Sequence, residues 1–186
     1  MALLVERRRF TRREYHTMIR AGILAEDDPV ELLEGEVVRR MPTGSSHAGC
    51  VNRLTRLLGT AAGDRAILAV QNPLALGEFS EPEPDLMLLR PRADFYADAH
   101  PTAEDVLLAV EVADTSLAVD LEVKVPLYAG HGVREVWLVD LEHRRVLTYR
   151  DPAGGRYREE RVLQPGDFLS IPCLPGQQIA LSELGL

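Results

Sequence analysis

The chain has 186 residues, and its hydrophobic share of 46% and charged share of 27% are those of an ordinary globular protein. This length suits one domain, residues 1–186, and no apolar run approaches the roughly 20 residues that a membrane span needs. The formal net charge of −8 argues against a protein that coats nucleic acid, although it does not exclude a nuclease, whose metal site gathers carboxylates.

The first ten residues, MALLVERRRF, contain a short apolar run with arginines on its C-terminal side. A secretory signal has its positive charges on the other side of the apolar run, so we expect a cytoplasmic protein. Cys50 and Cys173 are far apart and show neither the spacing of a zinc site nor that of a disulfide framework. Both are expected to be small buried or half-buried side chains.

The first third of the chain contains three helical patterns. Thr11 with Glu14 three residues later is a capping box, which predicts a helix over residues 11–21. Pro29 suits the first position of a second helix, which Gly35 ends before a strand over residues 36–41. The third helix is predicted over residues 47–62, where apolar residues recur at helical spacing behind a Gly-Ser-Ser turn.

The remaining two thirds alternate buried strands with one further helix. That helix is capped by Thr115 or Ser116 and ends near Gly130, with a kink expected at Pro126. The short apolar runs predict strands, the last two of which flank the hairpin loop Asp-Pro-Ala-Gly-Gly. The strands are predicted over residues 66–70, 74–76, 85–89, 106–112, 135–140, 145–149 and 157–163. The order predicts an α/β fold with a mixed sheet, preceded by N-terminal helices and closed by a C-terminal hairpin.

Two carboxylates interrupt the apolar strands. Asp85 begins one strand and Glu111 lies near the end of another, so that both reach the same end of the sheet if the two strands are neighbours. Two anions about 4 Å apart repel each other by roughly 4 kcal/mol at a surface-like dielectric constant. A hard divalent cation relieves this repulsion, and Mg²⁺ needs only one or two carboxylates, a backbone carbonyl such as that of Val112, and waters.

Lys124 is the single lysine among 21 basic residues. Surface ion pairs seldom distinguish lysine from arginine, whereas a compact ammonium group with a tunable pKa does. Asp120, Lys124 and Tyr128 are spaced by four residues and so share one helix face, from which Lys124 is able to orient or deprotonate a water or to stabilise charge on a phosphate. The alternative is a surface ion pair between Asp120 and Lys124 that contributes a few tenths of a kcal/mol.

The chain resembles the PD-(D/E)XK nuclease superfamily and, more narrowly, the bacterial Uma-two family of endonucleases. The matching pieces extend from about Thr11 to Leu174 and include ELLEGEVV, MPTGSSH, EPEPD, VEVADTS and DLEVKVPLYAGHGVREVWLVD. The superfamily's usual lysine stands two residues after the glutamate, where this chain has Ala113. The resemblance implies that Lys124, on the next helix, takes its place.

The resemblance implies a restriction-endonuclease-like fold and a nuclease that uses Mg²⁺ or Mn²⁺ to activate water against DNA phosphodiester bonds. Asp85 and Glu111 would be both catalytic and metal-binding, with Lys124 assisting. His47 matches a family histidine that would orient a phosphate or water, although local hydrogen bonds in a first helical turn explain a histidine equally well. Glu31 matches an acid that would complete the metal shell, the alternative being an ordinary glutamate on a helix face.

The partners follow from the same resemblance. DNA is the expected substrate, a membrane is not expected, and a homodimer is suggested by analogy with related folds that cut both strands as pairs. A competing hypothesis from another functional class is a nuclease-like fold kept as a catalytically silent binding or assembly module. The acidic charge of the chain favours that second hypothesis, and the complete set of Asp85, Glu111 and Lys124 favours the first.

Overall fold

The computed structural model describes residues 7–42 and 44–186. Residues 1–6, which carry part of the argument about a secretory signal, and Thr43 of the predicted turn lie outside the described residues. Within the described part, the strands form one sheet of six strands and two sheets of two. No helix in these described ranges is long and apolar enough to cross a membrane.

The helices and strands are labelled in chain order. They are α1 (Arg12–Arg20), β1 (Val30–Leu33), β2 (Glu36–Arg39), α2 (Ser45–Ala62), β3 (Ile67–Val70), β4 (Leu86–Leu89), β5 (Val106–Ala113), α3 (Leu117–Val119), α4 (Val125–Gly130), β6 (Glu135–Asp140), β7 (Arg145–Ala153), β8 (Arg156–Leu163), β9 (Phe168–Ser170) and β10 (Gln178–Ala180). A π-helical turn, Asp120–Lys124, joins α3 to α4.

The six-stranded sheet has the order β3-β4-β5-β6-β7-β8. Neighbouring strands are antiparallel except β5 and β6, which are parallel. A parallel pair needs a long crossover, and the helical segment from α3 to α4 supplies it. The mixed sheet predicted from the sequence is confirmed.

Each face of the sheet has its own hydrophobic core. On one face α2 packs through residues such as Leu54 and Leu58, together with apolar residues of the C-terminal tail. On the other face α4 packs through Leu127 and Tyr128. The central strands β4, β5 and β6 are buried at every position except the half-buried Leu107, because both faces are covered, which explains their nearly continuous apolar sequences.

The prediction of a second N-terminal helix is wrong. The segment that follows Pro29 is the strand β1, which pairs with β2 in an antiparallel hairpin whose register ends at Leu33 and Glu36. Glu34 and Gly35 form the two-residue turn, with φ of 50° and 86°. Two successive positive φ angles match the right-handed twist of a hairpin, so the Glu-Gly pair favours strands on both sides rather than a helix end.

Gly35 is expected to be intolerant of a side chain. Its φ is positive, and an added Cβ would lie 2.6 Å from Cβ of Arg9. We expect Gly35→Ala to lower the free energy of unfolding by about 1–3 kcal/mol, measured by urea denaturation. Gly22→Ala is the matched control, because Gly22 also has a positive φ but has no neighbour within 4 Å among the described residues. Equal losses in both variants would show that the contact with Arg9 is unimportant.

The helical crossover between β5 and β6 contains a wider, π-helical turn just before Pro126. The N–H of Val125 donates to the carbonyl of Asp120, five residues back, which is the hydrogen bond of a π-helical turn. Pro126 follows directly and has no N–H to continue the regular pattern. The predicted irregularity at Pro126 is therefore a wide turn immediately before it, and this turn carries Asp120 and Lys124.

Two strand boundaries also differ from prediction. Residues 74–76 form no strand within the described part of the chain, only single bridges from Ala75 to Thr102 and from Leu76 to Ser80. The C-terminal hairpin is longer than predicted. Strand β7 continues through Pro152 to Ala153, and the turn consists of Gly154 and Gly155. Proline is accommodated there because the positions lie near the hairpin end, on the rim of the sheet.

Candidate functional site

The candidate site lies at the end of the sheet where β4 begins and β5 ends. Leu86 pairs with Val110 in antiparallel register, so the preceding Asp85 lies opposite Glu111. Residues that face each other across an antiparallel pair point to the same side. The two strands therefore bring Asp85 and Glu111 together, as the apolar patterns predict.

A cleft of about 320 Å³ opens over this end of the sheet. The predicted residues Glu31, His47, Asp85, Glu111, Val112 and Lys124 all contribute to its wall. The wall also contains residues from the end of β2 and the loop after it, from the N-terminal end of α2, from the segment between β3 and β4, from the loop after β5, and from α3 with the following π-turn. They include Arg39, Arg40, Met41, Gly44, Gln71, Glu83, Asp114, Val119 and Asp120.

Asp85 is fixed by three donors. Its Oδ2 is 3.0 Å from Nε2 of His47 and accepts the backbone N–H of Val112 at 2.9 Å. Its Oδ1 accepts a longer bond of 3.3 Å from the side chain of Gln71. Sequence reasoning missed Gln71, for which the following Asn-Pro pair was the available signal of a turn. In the structure Gln71 has a positive φ of 52°.

His47 and Asp85 stabilise each other's charged forms. The hydrogen bond to Asp85 raises the pKa of His47, against an opposing effect of burial. Burial acts to raise the pKa of Asp85, but the hydrogen bond and charge of His47, with the N–H of Val112, lower it overall. Asp85 is therefore an anion at neutral pH, the form in which a carboxyl group binds a cation.

Lys124 lies between two carboxylates. Its Nζ donates to Oε1 of Glu31 at 3.1 Å and lies 3.2 Å from Oε1 of Glu111. Glu31 reaches this position from β1, the strand that sequence reasoning took for a helix. Within the described residues Lys124 forms no ion pair with Asp85, so the predicted three-part site is joined through Glu111.

The charges of this cluster follow from burial and proximity. Burial acts to lower the pKa of Lys124, but Glu111, Glu31 and Asp120 raise it well above its ordinary value. Burial raises the pKa of Glu111 well above its ordinary value, and Lys124 opposes this increase. One ammonium group lies among three carboxyl groups, and the charges of Asp120, Asp85 and Glu31 add to the rise in the pKa of Glu111, so a further cation in the cleft would favour its ionised form.

Asp120 belongs to the cleft rather than to the surface. It is buried, and its Oδ2 accepts a 2.6 Å hydrogen bond from the hydroxyl of Ser116. Burial raises its pKa, and the charge of Lys124 lowers it. The alternative of an exposed Asp120–Lys124 ion pair is wrong, because both side chains are buried.

Tyr128 holds the central carboxylate. Its hydroxyl is fully buried and donates to Oε1 of Glu111 at 2.5 Å, the same oxygen that Lys124 approaches. The spacing of four residues from Lys124 placed Tyr128 on the correct helix face, although its partner was not predicted. Because both donors use Oε1, Oε2 is the Glu111 oxygen left for another ligand.

We expect Tyr128→Phe to lower the free energy of unfolding by about 1–3 kcal/mol, since Glu111 loses a hydrogen bond in a buried setting. It should also weaken Mn²⁺ binding about tenfold or more, the effect of losing a group that orients a metal ligand. Calorimetric titration and thermal unfolding measure the two effects. Tyr157→Phe is the control, because its hydroxyl donates to the carbonyl of Val133, away from the cleft. Unchanged Mn²⁺ affinity in Tyr128→Phe would contradict this role.

The donor set suits a hard divalent cation with few protein ligands. Tyr128 and Lys124 both approach Oε1 of Glu111, so its Oε2 remains for a further ligand. Oε2 of Glu31 is buried without a hydrogen-bond partner among the described residues. In the same residues no group of three or more His, Cys, Asp or Glu side chains is arranged to hold a metal. The residues therefore fit Mg²⁺ or Mn²⁺ held by two carboxylates and waters, and not a preformed cage of side chains.

Two acids in the segment before Asp85 have definite partners. Glu81 is buried, 3.0 Å from His16 and 3.5 Å from Arg12. Glu83 lines the cleft and pairs with Arg40 at 2.6 Å. Their side chains anchor α1 and the end of β2, respectively, to the segment that leads into Asp85.

Comparison with known proteins agrees with this architecture. Five chains of solved structures are similar to this chain. One is the crystal structure of a "putative nuclease belonging to DUF820" from Anabaena variabilis, with a TM-score of 0.71 and 18% sequence identity, covering 88% of this chain and 94% of that one. At this identity the similarity shows the fold, which is the restriction-endonuclease-like fold that the resemblance implies. None of the curated proteins matches the chain.

The sequence profile of one family spans nearly the whole chain. The family is Uma2, described as "Putative restriction endonuclease", and it matches residues 12–182. The match includes both strands that carry the acids and the helical turn that carries Lys124. The chain therefore belongs to the Uma2 family.

Proposed function

We propose that the chain is a divalent-metal-dependent nuclease that hydrolyses phosphodiester bonds of DNA. The observation that carries the proposal is the 3.2 Å approach of Lys124 Nζ to Glu111 Oε1. In this chain Ala113 occupies the superfamily's usual lysine position, yet the π-turn brings a lysine from the next helix to the same carboxylate. Family membership supports nuclease activity in general, and the cleft supports this particular chemistry.

Asp85 and Glu111 would hold Mg²⁺ or Mn²⁺, with the Val112 carbonyl and Glu31 as further candidate ligands. The bound ion would polarise the phosphate and lower the pKa of a water molecule. Asp85 is already an anion fixed in orientation by His47, Gln71 and Val112. Such preorganisation reduces the cost of arranging the site when the substrate binds.

Lys124 would act as a charge stabiliser. Its raised pKa keeps it an ammonium group, which donates hydrogen bonds and does not accept a proton. Held against Glu111, it is placed to stabilise the negative charge that develops on a phosphate during hydrolysis. Of the two roles considered for Lys124, its charged form therefore favours the stabilisation of charge on the phosphate over the deprotonation of a water.

His47 would position the phosphate. Its Nε2 lies against Asp85, while its Nδ1 is buried without a partner among the described residues. Asp85 raises the pKa of His47 and so favours the charged form, in which both ring nitrogens donate. A charged His47 at the N-terminal end of α2 therefore adds a second positive group beside the acids.

The test is cleavage of plasmid and of single-stranded DNA in the presence of Mg²⁺ or Mn²⁺, with a chelator as the metal-free control. The purified chain should cut only with the metal, and Asp85→Ala and Lys124→Ala should each abolish cutting. Cleavage that both substitutions leave unchanged would contradict the catalytic assignment. Size-exclusion chromatography with light scattering during the same preparation tests the proposed homodimer.

A catalytically silent binding module is the second candidate. The observation that favours it is that Lys124 already neutralises part of the charge of Glu31 and Glu111, so the cluster does not depend on a metal to be stable. This candidate predicts a folded chain that neither binds Mn²⁺ in the cleft nor cuts DNA under any of the conditions above.

A further inference from the structure

We propose that the cleft accepts single-stranded DNA in preference to duplex DNA. This inference rests on the proposed nuclease function and specifies its substrate class. It is carried by three features of the cleft: the depth of the acids, the charge of the wall, and the apolar side chains exposed at its mouth.

The carboxylates of the site lie deep in the cleft, where the phosphates of a continuous duplex reach them poorly. The side chains of Glu111 and Lys124 are only 3% and 9% exposed, and that of Asp85 is 12% exposed. They line a cleft of about 320 Å³, at the lower end of the range for pockets that enclose a small molecule. A phosphate on a flexible single strand is able to enter such a cleft, whereas a duplex phosphate is held on a stiff helix.

The wall of the cleft offers little positive charge to a duplex. Six carboxylates line it against three permanently charged cations. Arg40 is paired with Glu83, and Lys124 with Glu31 and Glu111, so Arg39 alone of the three has no ion pair among the described residues. Affinity for duplex DNA comes largely from lysine and arginine side chains that neutralise phosphates and release counterions. The cleft therefore has to obtain part of its affinity for nucleic acid from contacts other than the neutralisation of phosphates by lysine and arginine.

Two apolar side chains are placed to supply such contacts. Met41 is 61% exposed and Val119 is 42% exposed, and both line the cleft, Met41 from the loop after β2 and Val119 from α3. Unpaired bases stack on apolar and aromatic side chains, whereas the faces of paired bases are covered by their neighbours. Met41 and Val119 thus fit an unpaired base beside the phosphate that enters the site.

The experiment compares kcat/KM, with Mn²⁺, for a single-stranded oligonucleotide, the matched duplex, and bis(p-nitrophenyl) phosphate, which has no base. The single strand should be cut at least about tenfold more efficiently than the duplex. Met41→Gln combined with Val119→Thr keeps side-chain shape and removes apolar character. This double variant should lower kcat/KM for the single strand about tenfold more than for the small ester. Val162→Thr, an exposed valine on β8, is the control and should change neither.

The outcomes separate this inference from the proposed function. Hydrolysis of the small ester together with equal or better cleavage of the duplex would overturn the single-strand preference alone. Equal losses for the oligonucleotide and the ester in the double variant would overturn the stacking role of Met41 and Val119. Failure to hydrolyse even the small ester would overturn the nuclease function and this inference with it.

Discussion

Lys124→Met is expected to lower the free energy of unfolding by about 3–5 kcal/mol at pH 8, because it leaves the buried carboxylates Glu31 and Glu111 without their shared cation. Methionine fills a similar volume without a charge, so the loss reports electrostatics and not a cavity. Urea denaturation of the wild type and the variant measures it. A loss below about 1 kcal/mol would contradict the buried ion-pair cluster.

The loss of unfolding free energy in Lys124→Met should depend on pH. Burial raises the folded-state pKa of Glu111 above its ordinary value of 4.5, and removal of Lys124 raises it further. A carboxyl group with a raised folded-state pKa binds its proton more tightly in the folded state, so stability falls as pH rises through that pKa. The penalty of Lys124→Met should therefore be smaller at pH 5 than at pH 8. Adding Glu111→Gln to the variant should recover part of the loss at pH 8 and reduce the pH dependence.

Asp85→Asn is expected to lower metal-dependent cleavage by at least about a thousandfold, since a ligand that supplies charge to the cation is worth several kcal/mol in the transition state. Its Mn²⁺ affinity should fall more than about a hundredfold, beyond the range for losing a group that only supports a ligand. The substitution is nearly isosteric and retains an oxygen that accepts the N–H of Val112. Cleavage rates and calorimetric titration measure the two losses.

Asp140→Asn is the matched control. Asp140 is as buried as Glu111 and ends β6, next to β5, but its partners are His143 and Arg145 and it does not line the cleft. We expect this variant to lose stability and to retain full cleavage activity per folded molecule. Equal activity losses at positions 85 and 140 would mean that Asp85 acts through folding alone.

The central sheet could be read from the sequence because its strands are buried on both faces. The apolar runs over residues 106–112 and 135–140 mark β5 and β6 within one residue of their observed ends. Asp85 and Glu111 were visible for the same reason, since each is a charge at the end of an apolar strand. Lys124 was visible because it is the single lysine in the chain.

The contacts around these residues depend on tertiary structure. The sequence pattern predicts a helix at Glu31 because Pro29 suits a helix start. In the structure the Glu-Gly turn and the pairing of β1 with β2 stabilise a strand there instead. Tyr128 meets Glu111 only because the chain folds back across the sheet after the π-turn. No local pattern encodes that turn apart from Pro126, whose missing N–H predicts an irregularity without its form.

The most direct test is a crystal of the wild-type chain soaked in Mn²⁺ and measured for anomalous scattering. We expect one ion between Asp85 and Glu111, with its oxygen ligands at the short distances typical of such a cation, and no ion there in Asp85→Asn. A well-ordered wild-type crystal with no anomalous peak in the cleft would contradict the proposed metal site.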